Sequence, residues 1–167
     1  MYSILDEHGH CSADNGTTYP MTYTCKEYTI VPFYKLTTAE KEYVSKHLQS
    51  VWSTYTVNYI EFNWSYGDIL YVCMDASTKE IMGSVSVDRK NFLPFIGSLY
   101  VLPHLRNQGC STKLLRFAEK YVSYLGFNVA YIWCENDLDK FYEKHGYTID
   151  KKESDTVLIM CKKLMDI

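Results

Sequence analysis

Hydrophobic and polar positions change period several times along the chain, and each change marks an element. Glu27 to Leu36 is an apolar-rich run that predicts a first strand, and Pro32 assigns it to a sheet edge or a bulge. Val44, Leu48, Val51, Trp52 and Tyr55 then recur at helical spacing, predicting a helix from Thr37 to about Trp52. Thr37 and Glu40 form a capping-box pattern at its start. Tyr55 to Gly67 is aromatic and sparsely charged and fits neither period. It reads as a loop or short helix lining a pocket, with core filler as the alternative.

Asp68–Ala76 and Ile81–Val87 read as a hairpin across the Ser77–Glu80 turn, and Asn91–Pro94 turns the chain into a fourth strand, Phe95–Leu102. Helical period resumes from Gly109 to Leu125. Leu114, Leu115, Ala118, Tyr121, Val122 and Leu125 share one face, while Lys113, Arg116, Glu119, Lys120 and Ser123 face away. Gly126 supplies a helix stop. A fifth strand (Asn128–Cys134), a short helix (Asp137–His145) ended by Gly146, and a strand pair (Tyr147–Ile149 and Thr156–Lys162) complete the chain. A meander followed by alternating strands and helices predicts a mixed α/β sheet.

Composition narrows the class. With 167 residues, 47% hydrophobic and 22% charged, the chain is long enough for one domain with a real core. We place that domain at 27–167, after a polar, irregular N-terminal extension at 1–26. The net charge of −3 gives no bulk attraction to nucleic acid, so no nucleic-acid partner is expected. No apolar run reaches membrane-spanning length, so no membrane partner is expected either. The first residues lack the basic and apolar regions of a signal peptide, and a cytoplasmic location follows as the expectation.

The six cysteines are dispersed without a C-x-x-C pair and read as buried thiols. His8, His10 and Cys11 cluster near the start, but no second ligand pair follows at a metal-site spacing, so no metal is expected.

The stretch Leu99–Leu115 carries the chemistry. An apolar strand stops at Pro103, a short polar loop follows, and Gly109 opens an amphipathic helix. A helix start leaves backbone N–H groups unpartnered and carries roughly half a positive charge, which suits phosphate or pyrophosphate. The first turn holds Ser111 and Thr112 rather than a carboxylate, with Arg106 before it and Lys113 within it. Cations at that end are mildly unfavourable in isolation, and a bound polyanion reverses the sign. The loop lacks the Gly-Lys-Ser/Thr ending of a P-loop.

A second segment, Asn136-Asp137-Leu138-Asp139-Lys140-Phe141-Tyr142-Glu143-Lys144-His145-Gly146-Tyr147, lies downstream. Together the two segments resemble the GNAT superfamily of acetyl-CoA-dependent N-acetyltransferases. Arg106-Asn107-Gln108-Gly109-Cys110-Ser111 resembles the family's acetyl-CoA motif, and the second segment resembles its Asn…Phe-Tyr-Glu-Lys-x-Gly-Phe signature. Ser111 stands where the family commonly has Gly or Ala, and Gly97 and Ser98 replace a frequent acidic residue.

The resemblance implies the GNAT fold, an α/β (α+β) architecture with a central mixed, mostly antiparallel sheet of six to seven strands flanked by about four helices. It implies that Leu99, Tyr100 and Val101 pair with the pantetheine arm, and that Arg106, Asn107, Gln108, Gly109, Cys110, Ser111 and Thr112 surround the pyrophosphate. It implies that Asn136 contacts the cofactor and that Tyr142 protonates the leaving thiolate. A base for the incoming amine is expected among Glu135 and Glu61.

The implied activity is direct transfer of the acetyl group of acetyl-CoA, as co-substrate, to a primary amine of a small molecule or peptide, by a monomer or homodimer. A catalytically silent acetyl-CoA sensor on the same fold is the alternative.

Overall fold

A computed structural model of the chain describes residues 22–24, 27–63 and 69–164, apart from the side chain of Asn136. The elements of the first half are β1 (Tyr23–Thr24), β2 (Tyr28–Pro32), α1 (Thr38–Gln49), α2 (Val57–Asn63), β3 (Ile69–Asp75) and β4 (Ile81–Lys90). The second half adds β5 (Leu93–Val101), α3 (Cys110–Tyr124), β6 (Val129–Glu135), α4 (Asp139–Lys144), β7 (Thr148–Lys152) and β8 (Val157–Lys163). They form one eight-stranded sheet in the order β1-β2-β3-β4-β5-β6-β8-β7. The expected six to seven strands become eight because Tyr23 and Thr24 add a short outer strand. The four α-helices match the expectation of about four.

Strand alternation sorts the core into two layers. Ile69, Tyr71 and Cys73 of β3 join the cluster under α3, while Leu70, Val72 and Met74 join the cluster under α1 and α2. Helix α1 starts on the expected capping box. The Thr37 hydroxyl accepts from Glu40 N at 3.3 Å, and the Glu40 carboxylate accepts from Thr37 N at 2.7 Å. Pro32 is tolerated because β1 pairs only with Thr29 and Ile30 and does not reach it.

Helix α3 buries the predicted stripe except Leu125, and it also buries Phe117, whose ring meets Tyr71 at 4.8 Å between centroids. Each such side chain contributes about 1.5–3 kcal/mol when removed from water. Among the described residues no helix is long and apolar enough to cross a membrane. Among them, too, no three His, Cys, Asp or Glu side chains gather as a metal site. His8, His10, Cys11 and Cys25 lie outside the described residues.

Two irregularities position everything that follows. First, β4 pairs Ser84 with Tyr100 but Ser86 with Gly97, so β5 carries one extra residue there. This is a β-bulge, and Ser98 within it adopts φ +48°. Second, β5 and β6 pair in parallel only at Phe95–Tyr131 and Ile96–Ile132. Beyond Ile96 the two strands part. A bulge bends its strand and increases its twist, which accounts for the parting immediately after it.

Gly83 sits opposite this bend, and a Cβ there would overlap the Tyr100 carbonyl oxygen and stand 3.2 Å from Leu114 Cδ1. Gly83→Ala is therefore expected to lower stability by about 1–3 kcal/mol, as overpacking against backbone does. Urea unfolding monitored by circular dichroism checks this, with an unchanged midpoint counting against it.

Candidate active site

The parting of β5 from β6 opens a cavity of about 670 Å³. Its floor is β5 from Phe95 to Val101, its far wall is Trp133 and Glu135 of β6 with Tyr142 of α4, and its mouth is the loop leading into α3. The connection between α1 and α2 closes the remaining side with Val51, Trp52 and Tyr55. The aromatic stretch read as a pocket wall therefore supplies one at Tyr55, while Ile60 turns into the core.

The helix entry leaves its first backbone amides without a side-chain cap. Gly109 is the N-cap of α3 with φ +80°, no side chain caps the first turn, and no acidic residue stands in it. A Cβ on Gly109 would meet nothing within 4 Å, so the space in front of the amides is open. Asn107 also turns through φ +60°, which tightens the loop.

The cations expected to serve this end are engaged elsewhere. Arg106 Nε donates to the Val101 carbonyl at 3.0 Å, and its guanidinium lies 5.7 Å from the Tyr100 ring centroid. Lys113 binds Glu27 at 3.0 Å and lies 4.9 Å from the Tyr28 ring centroid. Favourable potential at the loop thus comes from oriented N–H groups more than from side-chain charge.

The structure brings most of the sequence-predicted residues together. Leu99, Tyr100, Val101, Arg106, Asn107, Cys110 and Ser111 line the cavity, as do Tyr142 and Glu135. Gln108 does not, and its side-chain amide donates to the His104 carbonyl at 3.2 Å. The Thr112 hydroxyl meets His145 Nε2 at 3.1 Å, while His145 Nδ1 meets the Phe141 carbonyl at 2.9 Å. With Nδ1–H donating to that carbonyl, a neutral His145 accepts from Thr112 and ties the start of α3 to α4. Glu61 lies outside the cavity wall and pairs with Lys41 at 2.7 Å, so only Glu135 of the two expected carboxylates reaches the site. Asn136 opens a 3-10 turn just after β6, and its side chain lies outside the described residues.

Protonation is set by enclosure. Tyr142 is buried, and burial raises its phenol pKa well above the ordinary value, with the nearby Cys134 and Glu135 adding to the rise. Burial likewise pushes the Cys134 thiol up to about 11. Cys110 moves the other way, because a hydrogen bond with Cys73 lowers its thiol pKa, though it too is buried.

Sequence reasoning missed Asp88, a carboxylate on β4 that lines the cavity beside Gly97 and Ser98. The signal was present. Ser84, Ser86, Asp88 and Lys90 alternate with Val85 and Val87, but the strand reading stopped at Val87. Trp133 was missed for a similar reason, as an apolar residue inside an apolar run.

Residues 67–149 match the family model described as an acetyltransferase (GNAT) domain. No curated protein matches the chain in sequence. Solved structures match in fold. An aminoglycoside 6'-N-acetyltransferase complexed with coenzyme A superposes with a TM-score of 0.68 at 16% identity, covering 81% of this chain and 97% of that one. An acetyltransferase of the GNAT family from Staphylococcus aureus gives 0.65 at 15% identity over 83% and 99% of the two chains. The PaiA N-acetyltransferase from Thermoplasma acidophilum, in complex with coenzyme A, gives 0.63 at 15% identity over 81% and 98%. On the family match, residues 67–149 are a GNAT acetyltransferase domain, and the described fold is the one these solved acetyltransferases share.

Proposed function

We propose that the protein transfers the acetyl group of acetyl-CoA directly to a primary amine. The observation that carries this reading is one cavity that joins three things: an uncapped helix start at Gly109, the free edge of β5 beyond Ile96, and the buried phenol of Tyr142. The amides around Gly109, Cys110 and Ser111 would hold the pyrophosphate, with Asn107, Gln108 and Thr112 shaping the loop. The β5 edge at Leu99, Tyr100 and Val101 would pair with the pantetheine arm and offer N–H donors to the thioester oxygen. Acetyl-CoA is the co-substrate in this scheme.

An amine attacking the thioester carbon forms a tetrahedral oxyanion and expels a thiolate. Tyr142 is a donor for that thiolate. Its raised pKa makes it a weak acid, but the same enclosure disfavours a thiolate beside it, so the two pKa values move together and proton transfer stays accessible. The buried, protonated Cys134 is a poor nucleophile, which favours direct transfer over an acyl-enzyme.

Release of free thiol from acetyl-CoA, followed across a panel of amines, tests the activity. Binding without turnover on any amine would favour the sensor reading, and no binding of coenzyme A would defeat both. Tyr142→Phe is expected to lower kcat by about 10²–10⁴-fold, the usual range for a general acid, while acetyl-CoA affinity by calorimetry is kept. Because a raised pKa leaves the phenol protonated at lower pH and ionises it only above the ordinary value, Tyr142 should cause no alkaline fall in kcat below about pH 10. A fall centred near neutrality that disappears in Tyr142→Phe would contradict the assignment.

Gly109→Ala is expected to cost about 1 kcal/mol of stability through its left-handed φ. It should weaken acetyl-CoA binding about tenfold or more by filling the space before the amides. Calorimetry and thermal melts of the same variant separate the two effects.

A further inference from the structure

The side of the cavity away from the α3 entry is built on one face of β4. Val85 and Val87 point into the core under α3, and Ser84, Ser86, Asp88 and Lys90 take the opposite face. Asp88 pairs with Phe95 across the ladder, and Ser86 pairs with Gly97. Gly97 keeps this corner clear, since a Cβ there would stand 3.2 Å from Ser86 Oγ and 3.9 Å from Asp88 Oδ2. The Asp88 carboxylate therefore overhangs the point at which β5 leaves β6.

Two aromatic pairs flank it. Trp52 and Tyr55 lie 5.3 Å apart between centroids on one side, and Phe95 and Trp133 lie 6.5 Å apart on the other. Among the described residues, the other charged or titratable groups lining this end of the cavity are Tyr55, Lys90 and Glu135. Lys90 Nζ is held 5.2 Å from the Trp133 ring centroid. Tyr55 Oη is fixed to Ser98 Oγ at 2.9 Å, and its pKa is raised by burial first and further by the charge of Asp88.

We propose that Asp88 is the acceptor-site carboxylate: it binds the substrate ammonium and takes its proton, and the two aromatic pairs select a primary amine carried on a short arm from an aromatic or other apolar body. This rests on the acetyl-transfer reading, although its binding half stands without turnover. An ammonium fits here on two counts, a carboxylate at close range and ring faces that attract cations. The apolar walls accept the body that carries it.

The chemistry balances. Asp88 takes one proton from the ammonium and passes it to solvent. The neutral nitrogen forms the C–N bond at the thioester carbon, and the C–S bond breaks with its electron pair on sulfur. Sulfur takes the Tyr142 proton, and the second proton shed by nitrogen restores Tyr142. One proton is released per amide formed. For the free groups the first transfer is uphill, from about 10.4 for an alkylammonium to about 3.9 for an aspartate. Handing the proton on to solvent recovers part of that gap, because an ordinary aspartic acid is ionised at neutral pH.

Phenethylamine is the probe, with the full chain saturated with coenzyme A, and binding read by calorimetry and by fluorescence of the wall tryptophans. Asp88→Asn is expected to weaken phenethylamine binding about tenfold or more while leaving 2-phenylethanol, its neutral counterpart, unchanged. Acetyl-CoA affinity should also stay unchanged, which confirms that the variant is folded. If it is lost, Asp88→Ser and Asp88→Glu replace that variant.

In turnover, kcat/KM for phenethylamine near pH 7 should fall about 10²-fold in Asp88→Asn, and its pH profile should climb with the free-amine fraction until it approaches wild type in alkali. Asp88→Glu should restore part of the loss. Equal phenethylamine binding in both proteins, or a uniform loss at every pH, overturns the role of Asp88. Preference for spermidine or a peptide over phenethylamine overturns the aromatic selection. If wild type binds both ligands without turnover, the acetyl-transfer reading fails, and the binding comparison still decides whether Asp88 holds the amine.

Discussion

The extra residue in β5 is the constraint on which the site depends. A regular strand would keep pairing with β6 past Ile96, and no cavity would open between them. The bulge is costly in isolation, because Ser98 must hold a left-handed backbone that a non-glycine residue adopts at a penalty of about 1 kcal/mol or more. Three hydroxyls offset it. Ser84 Oγ donates to the Ser98 carbonyl at 3.0 Å, Ser86 Oγ donates to Ser98 Oγ at 3.2 Å, and Tyr55 Oη meets the same Ser98 Oγ at 2.9 Å. The last of these comes from the α1–α2 connection. The bend in the sheet and the cavity wall above it are thus stabilised by the same group, so neither is positioned independently of the other.

The same parting sets the electrostatics. Once β5 leaves β6, its outer edge has no strand partner among the described residues and borders the cavity, as does the start of α3 with its uncapped amides. Side-chain cations contribute less than the chain order implies, because Arg106 is folded back onto Val101 and Tyr100 and Lys113 onto Glu27 and Tyr28. An anion cradle made of backbone dipoles costs little reorganisation when a ligand arrives. It also favours Gly109, because the N-cap sits at φ +80°, a left-handed backbone that glycine holds without steric cost.

Much of this was legible in the chain because it is local. The capping box at Thr37 and Glu40, the buried stripe of α3, its start at Gly109 and the helix ends at Gly126 and Gly146 each follow from a few neighbouring residues. The placement of Tyr142 followed from a motif rather than from its period. What escaped were features set by pairing across strands. The bulge at Ser98 exists only in the register between β4 and β5, and no periodicity announces it. The strand reading ended at Val87, three residues short of the end of β4. The strand runs to Lys90, and the turn falls at Asn91 and Phe92, within the expected Asn91–Pro94; both have positive φ, a conformation that suits Asn and that nothing about Phe predicts. Asp88 was lost with that extension. Glu61, a plausible base by composition, is taken up by Lys41 at 2.7 Å, a contact between helices that no spacing rule reveals.

The cavity's chemistry then follows from what burial does to each acid. Removing a group from water raises the pKa of a phenol or thiol, so Tyr142 and Cys134 both stay protonated. A protonated Tyr142 in the wall favours a reaction in which charge develops and is quenched in place, and a protonated Cys134 behind it disfavours one that needs a standing thiolate nucleophile. Cys110 is the exception, its pKa lowered by Cys73, yet it is sealed at the base of the helix with 2% of its surface exposed. Although the residue borders the cavity, its thiol is engaged with Cys73, and it belongs to the first turn of α3, whose amides carry no side-chain cap. Acyl transfer through Cys110 would require that thiol to leave its contact with Cys73, whereas direct transfer leaves the contact in place.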